Sequence, residues 1–187
     1  GIFFLLEFIN GISLKQYIEN KKKSELKKEN EVAFYGGILL STINYLHNKK
    51  IIHRDIKPGN LMIDKTGYLK IIDFGLSQDI DKLKSRVGTA YYVSPEILDG
   101  NYTQLCDIWS AGCIIYEICT LHPPSRGTNF KELYNNIIKG NYLDIGFNYS
   151  NDLRNLLKMM IVVNPDKRFN VKQILNSDIV KKKIKER

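Results

Sequence analysis

The segment His53-Arg54-Asp55-Ile56-Lys57-Pro58-Gly59-Asn60 places an acid, a cation and an amide oxygen close together in the chain. Asp73-Phe74-Gly75 follows thirteen residues after Asn60. These residue types suit phosphoryl transfer, in which a protein supplies positioning and charge stabilisation more than covalent chemistry. A carboxylate at Asp55 can accept the proton of an attacking hydroxyl. Lys57 can set a compact positive charge beside a transferred phosphate. Asn60 and Asp73 can supply the oxygen ligands that a hard Mg²⁺ ion prefers. Either short motif alone could arise by chance. The two in this order, separated by an apolar hairpin, form a specific signal.

The elements that must hold these groups are legible around them. From Glu31 to Asn48, apolar residues at Val32, Tyr35, Leu39, Ile43 and Leu46 recur at three-to-four spacing, which predicts an amphipathic helix running into the loop. Leu61-Met62-Ile63 and Tyr68-Leu69-Lys70-Ile71 flank the turn-rich Asp64-Lys65-Thr66-Gly67, the pattern of a β-hairpin between the two motifs. Ile108 to Thr120 is apolar on nearly every face, as a buried central helix should be. Shorter helices are expected over Leu14 to Ile18, Asn129 to Lys139, Asn151 to Val162 and Asn170 to Asn176, separated by Gly and Pro signals. No internal repeat is visible. The expected architecture is mainly α, with small β elements at a cleft.

Composition bounds the function. A chain of 187 residues with 43% hydrophobic content is long enough for one domain with an ample core. Cys106, Cys113 and Cys119 are odd in number and lack C-x-x-C spacing, so they are expected to be buried free thiols in a reducing compartment. His47, His53 and His122 are too scattered for a metal site. The net charge is +8, with clusters at Lys21-Lys22-Lys23, Lys27-Lys28 and Lys181-Lys182-Lys183. No stacking aromatics interleave them, so they read as solvated faces and neither a nucleic-acid nor a membrane partner is expected. The apolar run Ile2-Phe3-Phe4-Leu5-Leu6 is too short to span a bilayer and reads as a β-strand.

Taken together, the His53–Asn60 and Asp73–Gly75 motifs resemble those of the eukaryotic protein kinase catalytic domain, and the resemblance covers almost the whole chain. It implies a kinase C-terminal lobe, preceded by the strand that leads into the hinge. On that reading residues 1–180 are hinge and C-lobe, and 181–187 begin a basic tail. The Gly-rich loop, the phosphate-clamping Lys and the αC helix of the upper lobe have no counterpart in the sequence. The resemblance makes Leu6 the gatekeeper, gives adenine the backbone of Glu7 and Ile9, and puts Met62 beneath it. Asp55 becomes the base, Lys57 the phosphate-binding cation, and Asn60 with Asp73 the Mg²⁺ ligands, so the implied cofactors are ATP and Mg²⁺.

Gly88-Thr89-Ala90-Tyr91-Tyr92-Val93-Ser94-Pro95-Glu96 is similar to the segment that closes a kinase activation loop. By resemblance, Thr89 bridges Asp55 and Lys57, Glu96 pairs with Arg168, and Asp107 anchors the backbone of the catalytic loop. Ser85, four residues before Thr89, is the implied activating phosphosite, with Arg54 as its partner. Lys57 two residues after Asp55 is the Ser/Thr-kinase pattern. The stretches Asp107–Leu121, Tyr149–Leu157 and Asn164-Pro165 look most like the NIMA-related (NEK) kinases, while Ala90 departs from that group's usual Pro. The resemblance implies protein substrates and an intracellular setting, in the cytoplasm or on the cytoskeleton.

The acids that read upstream arginines in basophilic kinases are matched by Ser13 and Gly59, which carry no carboxylate. The resemblance therefore implies an apolar residue upstream of the target Ser, although acids elsewhere in the cleft could still read a basic substrate. Two other functions compete. A pseudokinase or scaffold lobe would bind partners without turnover, against which the intact Asp55, Asn60 and Asp73 count. A small-molecule phosphotransferase would have no need of Thr89 or of the Ser94-Pro95-Glu96 closure.

Overall fold

The computed structural model describes residues 7–21, 28–73, 90–98, 100–101 and 103–185, with side chains through residue 181. Several expectations lie outside them: the strand Ile2–Leu6 with Leu6, the residues Phe74 and Gly75, Ser85, Thr89, and the basic residues at 22–27.

Two long helices form the spine. Helix α2, Glu29–Asn48, buries Val32, Tyr35, Leu39, Ile43 and Leu46, the stripe seen in the sequence. It packs on the central helix, Leu105–Thr120, in which every residue from Cys106 to Cys119 is buried. The two approach closely at Gly36, where an added Cβ would stand 3.2 Å from Ile115 Cδ1. On its far side the central helix meets helix Asn151–Met160 at Gly112, where a Cβ would lie 2.9 Å from Met160 Cβ and 2.8 Å from Ile161 Cγ1. The three cysteines are buried free thiols, as expected. Burial raises all three, Cys119 to about 12, so these groups are packing residues.

The central helix starts three residues earlier than the apolar pattern indicated, because the Thr103 carbonyl already accepts from Cys106 N. Taking labels in chain order, α1 is Leu14–Glu19, α3 is Pro95–Leu98, α4 is Leu105–Thr120 and α5 is Phe130–Lys139. The remaining helices are α6, Asn151–Met160, α7, Val171–Leu175, and α8, Asp178–Lys185. Side-chain caps fix four of these starts: Ser13, Asn129, Ser150 and Asn170 each accept from a backbone N–H three residues on. Helix α6 ends at Met160, two residues short of Val162, since Arg168 takes the Val162 and Val163 carbonyls by side-chain donation.

The hairpin is present as β2, Leu61–Asp64, antiparallel to β3, Leu69–Ile71, with Leu61 opposite Ile71 and Ile63 opposite Leu69. Its turn is organised by Asp64 Oδ1, which accepts from Thr66 N at 2.8 Å and Tyr68 N at 3.1 Å, with Gly67 at φ +85. A third strand, β1 (Gly11–Ser13), was not foreseen. It is too short to show alternation and exists by pairing with β2, Gly11 against Asp64 and Ser13 against Met62. Gly11 is obligatory there, because a Cβ would fall 2.0 Å from the Ile63 carbonyl oxygen.

Candidate active site

The loop after α2 is clamped from below by one buried carboxylate. Asp107, on the first turn of α4, accepts from His53 N at 3.0 Å and Arg54 N at 2.9 Å. Its Oδ2 also lies 2.9 Å from His47 Nε2, near the end of α2. One side chain thus ties α4, α2 and the loop together. Burial lowers the His53 imidazole below its ordinary range, and its Nδ1 accepts from Asp55 N at 3.3 Å, as a neutral ring can.

Held in this way, the expected catalytic residues converge. Lys57 Nζ donates to Asp55 Oδ2 at 2.7 Å. Asn60 Nδ2 donates to the same oxygen and to the Asp55 carbonyl, both at 2.9 Å. The Asp55 and Lys57 side chains keep 13% and 25% of their surface open to solvent, so a reactant can reach them. A one-turn 3₁₀ helix, Pro58–Asn60, sets the spacing between Lys57 and Asn60. Ile72 N donates to the Asn60 carbonyl at 2.9 Å, which binds the end of β3 to the loop and delivers Asp73 beside it.

Arg54 and Asp73 hold left-handed backbone, at φ 67 and 56. Such conformations are costly for residues with a Cβ, and they collect where a site dictates geometry over comfort. Here they flank the acid and the loop that carries it.

The donor set fits Mg²⁺. With Asn60 Nδ2 committed to Asp55, its remaining polar atom, Oδ1, is an acceptor of the kind Mg²⁺ takes, and Asp73 is exposed. Among the described residues no three His, Cys, Asp or Glu side chains gather into an all-protein metal cage. One amide and one carboxylate completed by phosphate oxygens is the arrangement Mg²⁺ favours.

The residues expected to face the nucleotide lie on the hairpin side. Met62 sits on the half-buried face of β2, with Leu61 and Ile63 turned into the core. The segment before β1 is fixed to the hairpin twice: Lys70 Nζ donates to Glu7 at 2.5 Å, and Lys65 N donates to the Asn10 carbonyl at 2.9 Å. Glu7 is exposed and Ile9 half-buried.

Farther along, Arg168 grips Glu96 through two nitrogens, at 2.5 and 3.0 Å, and its guanidinium lies over the Trp109 ring. Sequence reasoning missed two features of the cleft. His47 supports Asp107, and Glu117 accepts from the Tyr92 hydroxyl at 2.7 Å. The available signal for the second was a lone acid within Ile114-Ile115-Tyr116-Glu117-Ile118. Such an acid interrupts an otherwise apolar run.

Comparison with known proteins agrees with this geometry. The chain is 37% identical to a probable serine/threonine-protein kinase nek2 of Dictyostelium discoideum, over all of this chain and 46% of that protein. It is 33% identical to the serine/threonine-protein kinase Nek1 of Mus musculus, over 98% of this chain and 16% of that protein. It thus spans less than half the length of these relatives. A crystal structure of Rad53 1-466 in complex with AMP-PNP superposes with a TM-score of 0.79 at 31% identity, over 93% of this chain and 45% of that one. The family described as "Protein kinase domain" matches residues 1–180. The chain belongs to the protein kinase family and within it is most like the NIMA-related serine/threonine kinases.

Proposed function

We propose that this chain is the hinge and C-lobe portion of a Ser/Thr protein kinase that moves the γ-phosphoryl group of ATP to a protein hydroxyl. The carrying observation is the Asp55–Lys57–Asn60 constellation, in which two donors fix one carboxylate oxygen. In the reaction the substrate oxygen bonds to the γ-phosphorus, the bond to the ADP oxygen breaks, and the hydroxyl proton passes to Asp55. Lys57 offsets charge on the transferring group. Asn60 and Asp73 would hold Mg²⁺, which when bound neutralises the phosphate oxygens. Glu7, Ile9, Met62 and Leu6 would contact adenine, and Thr89 would bridge Asp55 and Lys57.

Arg54 would receive a phosphate on Ser85 and so order the loop, a role its fixed position after the Asp107 clamp supports. The nucleotide's other half would be supplied by an upper lobe, in keeping with the partial span of the relatives.

The test is phosphate transfer from labelled ATP to a Ser-containing protein, by the full-length gene product and by the 187-residue chain alone. The full-length protein should turn over at an ordinary kinase rate and the chain alone at almost none, since half the phosphate cradle would be missing. Nucleotide binding by the full-length protein without any transfer would point to a pseudokinase.

A further inference from the structure

The C-terminal end of α2 feeds the catalytic loop, while its N-terminal half walls a separate cavity of about 90 Å³. The other walls come from α4, α6, α7 and, at the last helix α8, from Ile179 and Val180. Glu29 and Asp152 take part, yet the wall is almost wholly apolar. Both Glu29 carboxylate oxygens are turned to Ser150, accepting from its N and Oγ at 2.7 Å each. Two consecutive glycines, Gly36 and Gly37, interrupt α2 at this wall, although glycine is the weakest helix former after proline. Gly36 is explained by the close approach of α4, since an added Cβ would stand 3.2 Å from Ile115 Cδ1. Gly37 is not: a Cβ there meets no atom within 4 Å. Its missing side chain leaves the cavity open.

We propose that this cavity docks an acidic segment of a partner protein, which seats one aliphatic side chain of about Leu size in it. The size decides against a larger guest, because a cavity of about 150 Å³ is what a benzene ring fills. Charge decides the rest of the segment. Lys28 directly precedes Glu29 and Lys181 directly follows Val180, and both are exposed. They belong to the Lys27-Lys28 and Lys181-Lys182-Lys183 clusters, distant in sequence, which the fold brings to the two walls of one cavity. With a net charge of +8, the chain also draws an acidic partner at long range.

The two contributions differ in weight. Exposed ion pairs add little each and are screened by salt, so the lysines set the sign of the partner and speed its approach. Burial of the aliphatic anchor carries the affinity, since it removes apolar surface from water on both sides.

The test reads binding without turnover and so stands apart from the kinase reading. The full-length protein is titrated with a short labelled peptide of Glu and Gly residues carrying one central Leu, followed by fluorescence anisotropy. The same peptide with Ala for Leu, and one with Lys for every Glu, serve as comparisons. The acidic Leu peptide should bind about ten- to a hundredfold tighter than its Ala counterpart, as for one buried aliphatic side chain, and tighter than the basic one. Gly37→Leu fills the cavity from α2 and should abolish the advantage of Leu over Ala with phosphate transfer unchanged. Gly37→Ala, whose methyl group enters open space, should reduce that advantage in part. Lys28→Glu with Lys181→Glu should weaken both acidic peptides and keep the Leu-to-Ala ratio. Equal binding of the Leu and Ala peptides, an advantage that survives both Gly37 variants, or equal binding of the acidic and basic peptides overturns the proposal. Binding of dodecanoate, sensitive to Gly37→Leu, where no peptide binds also overturns it and gives the cavity to a lipid chain.

Discussion

Asp107 accepts from the backbone N–H groups of His53 and Arg54 with separate carboxylate oxygens, at 3.0 and 2.9 Å. The loop that carries Asp55 is therefore positioned by a residue more than fifty positions away, on the first turn of the central helix. Asp107→Asn keeps the shape and loses one acceptor. It should lower stability by about 1–3 kcal/mol, the cost of a buried donor left unsatisfied. Denaturant unfolding measures that cost, and activity should fall with it although Asp55 is untouched.

Glu96 and Arg168 form a second buried link, between α3 and the segment before α7. Glu96→Gln alone leaves a buried guanidinium without its counter-charge and should cost about 3–5 kcal/mol. Pairing it with Arg168→Met should recover part of that loss. A double-mutant cycle reads the coupling, and strictly additive losses would show that the pair is not one unit.

How much of this could be read from sequence follows from where each signal is stored. The period of Val32, Tyr35, Leu39, Ile43 and Leu46 and the near-continuous apolarity of the central helix are local patterns, and both helices form where they point. The hairpin is announced by Asp64-Lys65-Thr66-Gly67, whose carboxylate and glycine build the turn directly. Strand β1 carried no such pattern because its structure comes from β2, a partner fifty residues away. The same holds for His47 and Glu117, whose roles depend on what tertiary packing brings to them. The convergence of Asp55, Lys57 and Asn60 was legible because all three lie on one short loop.

Glu117 should leave a pH signature. Burial raises its pKa in the folded chain above the ordinary value of 4.5, so the fold favours the protonated form. The stability this confers is full below the unfolded pKa and is lost as pH rises through the folded one. Glu117→Gln removes that loss. The variant should melt higher than the native chain near neutral pH, and the difference should shrink as pH falls below the ordinary value. A melting series across pH measures it, and a difference that grows on acidification would contradict the assigned shift.

The most direct test of the central claim compares Asp55→Asn with Asp73→Asn in the full-length protein under metal titration. Asp55→Asn should lower turnover by about 10²–10⁴-fold, the usual worth of positioned acid–base catalysis, and should not respond to added metal. Asp73→Asn would weaken the proposed metal ligand, so raised Mg²⁺ or Mn²⁺ should restore part of its rate. Equal rescue of both variants, or of neither, would contradict the division of labour between the base on the loop and the metal ligand after β3.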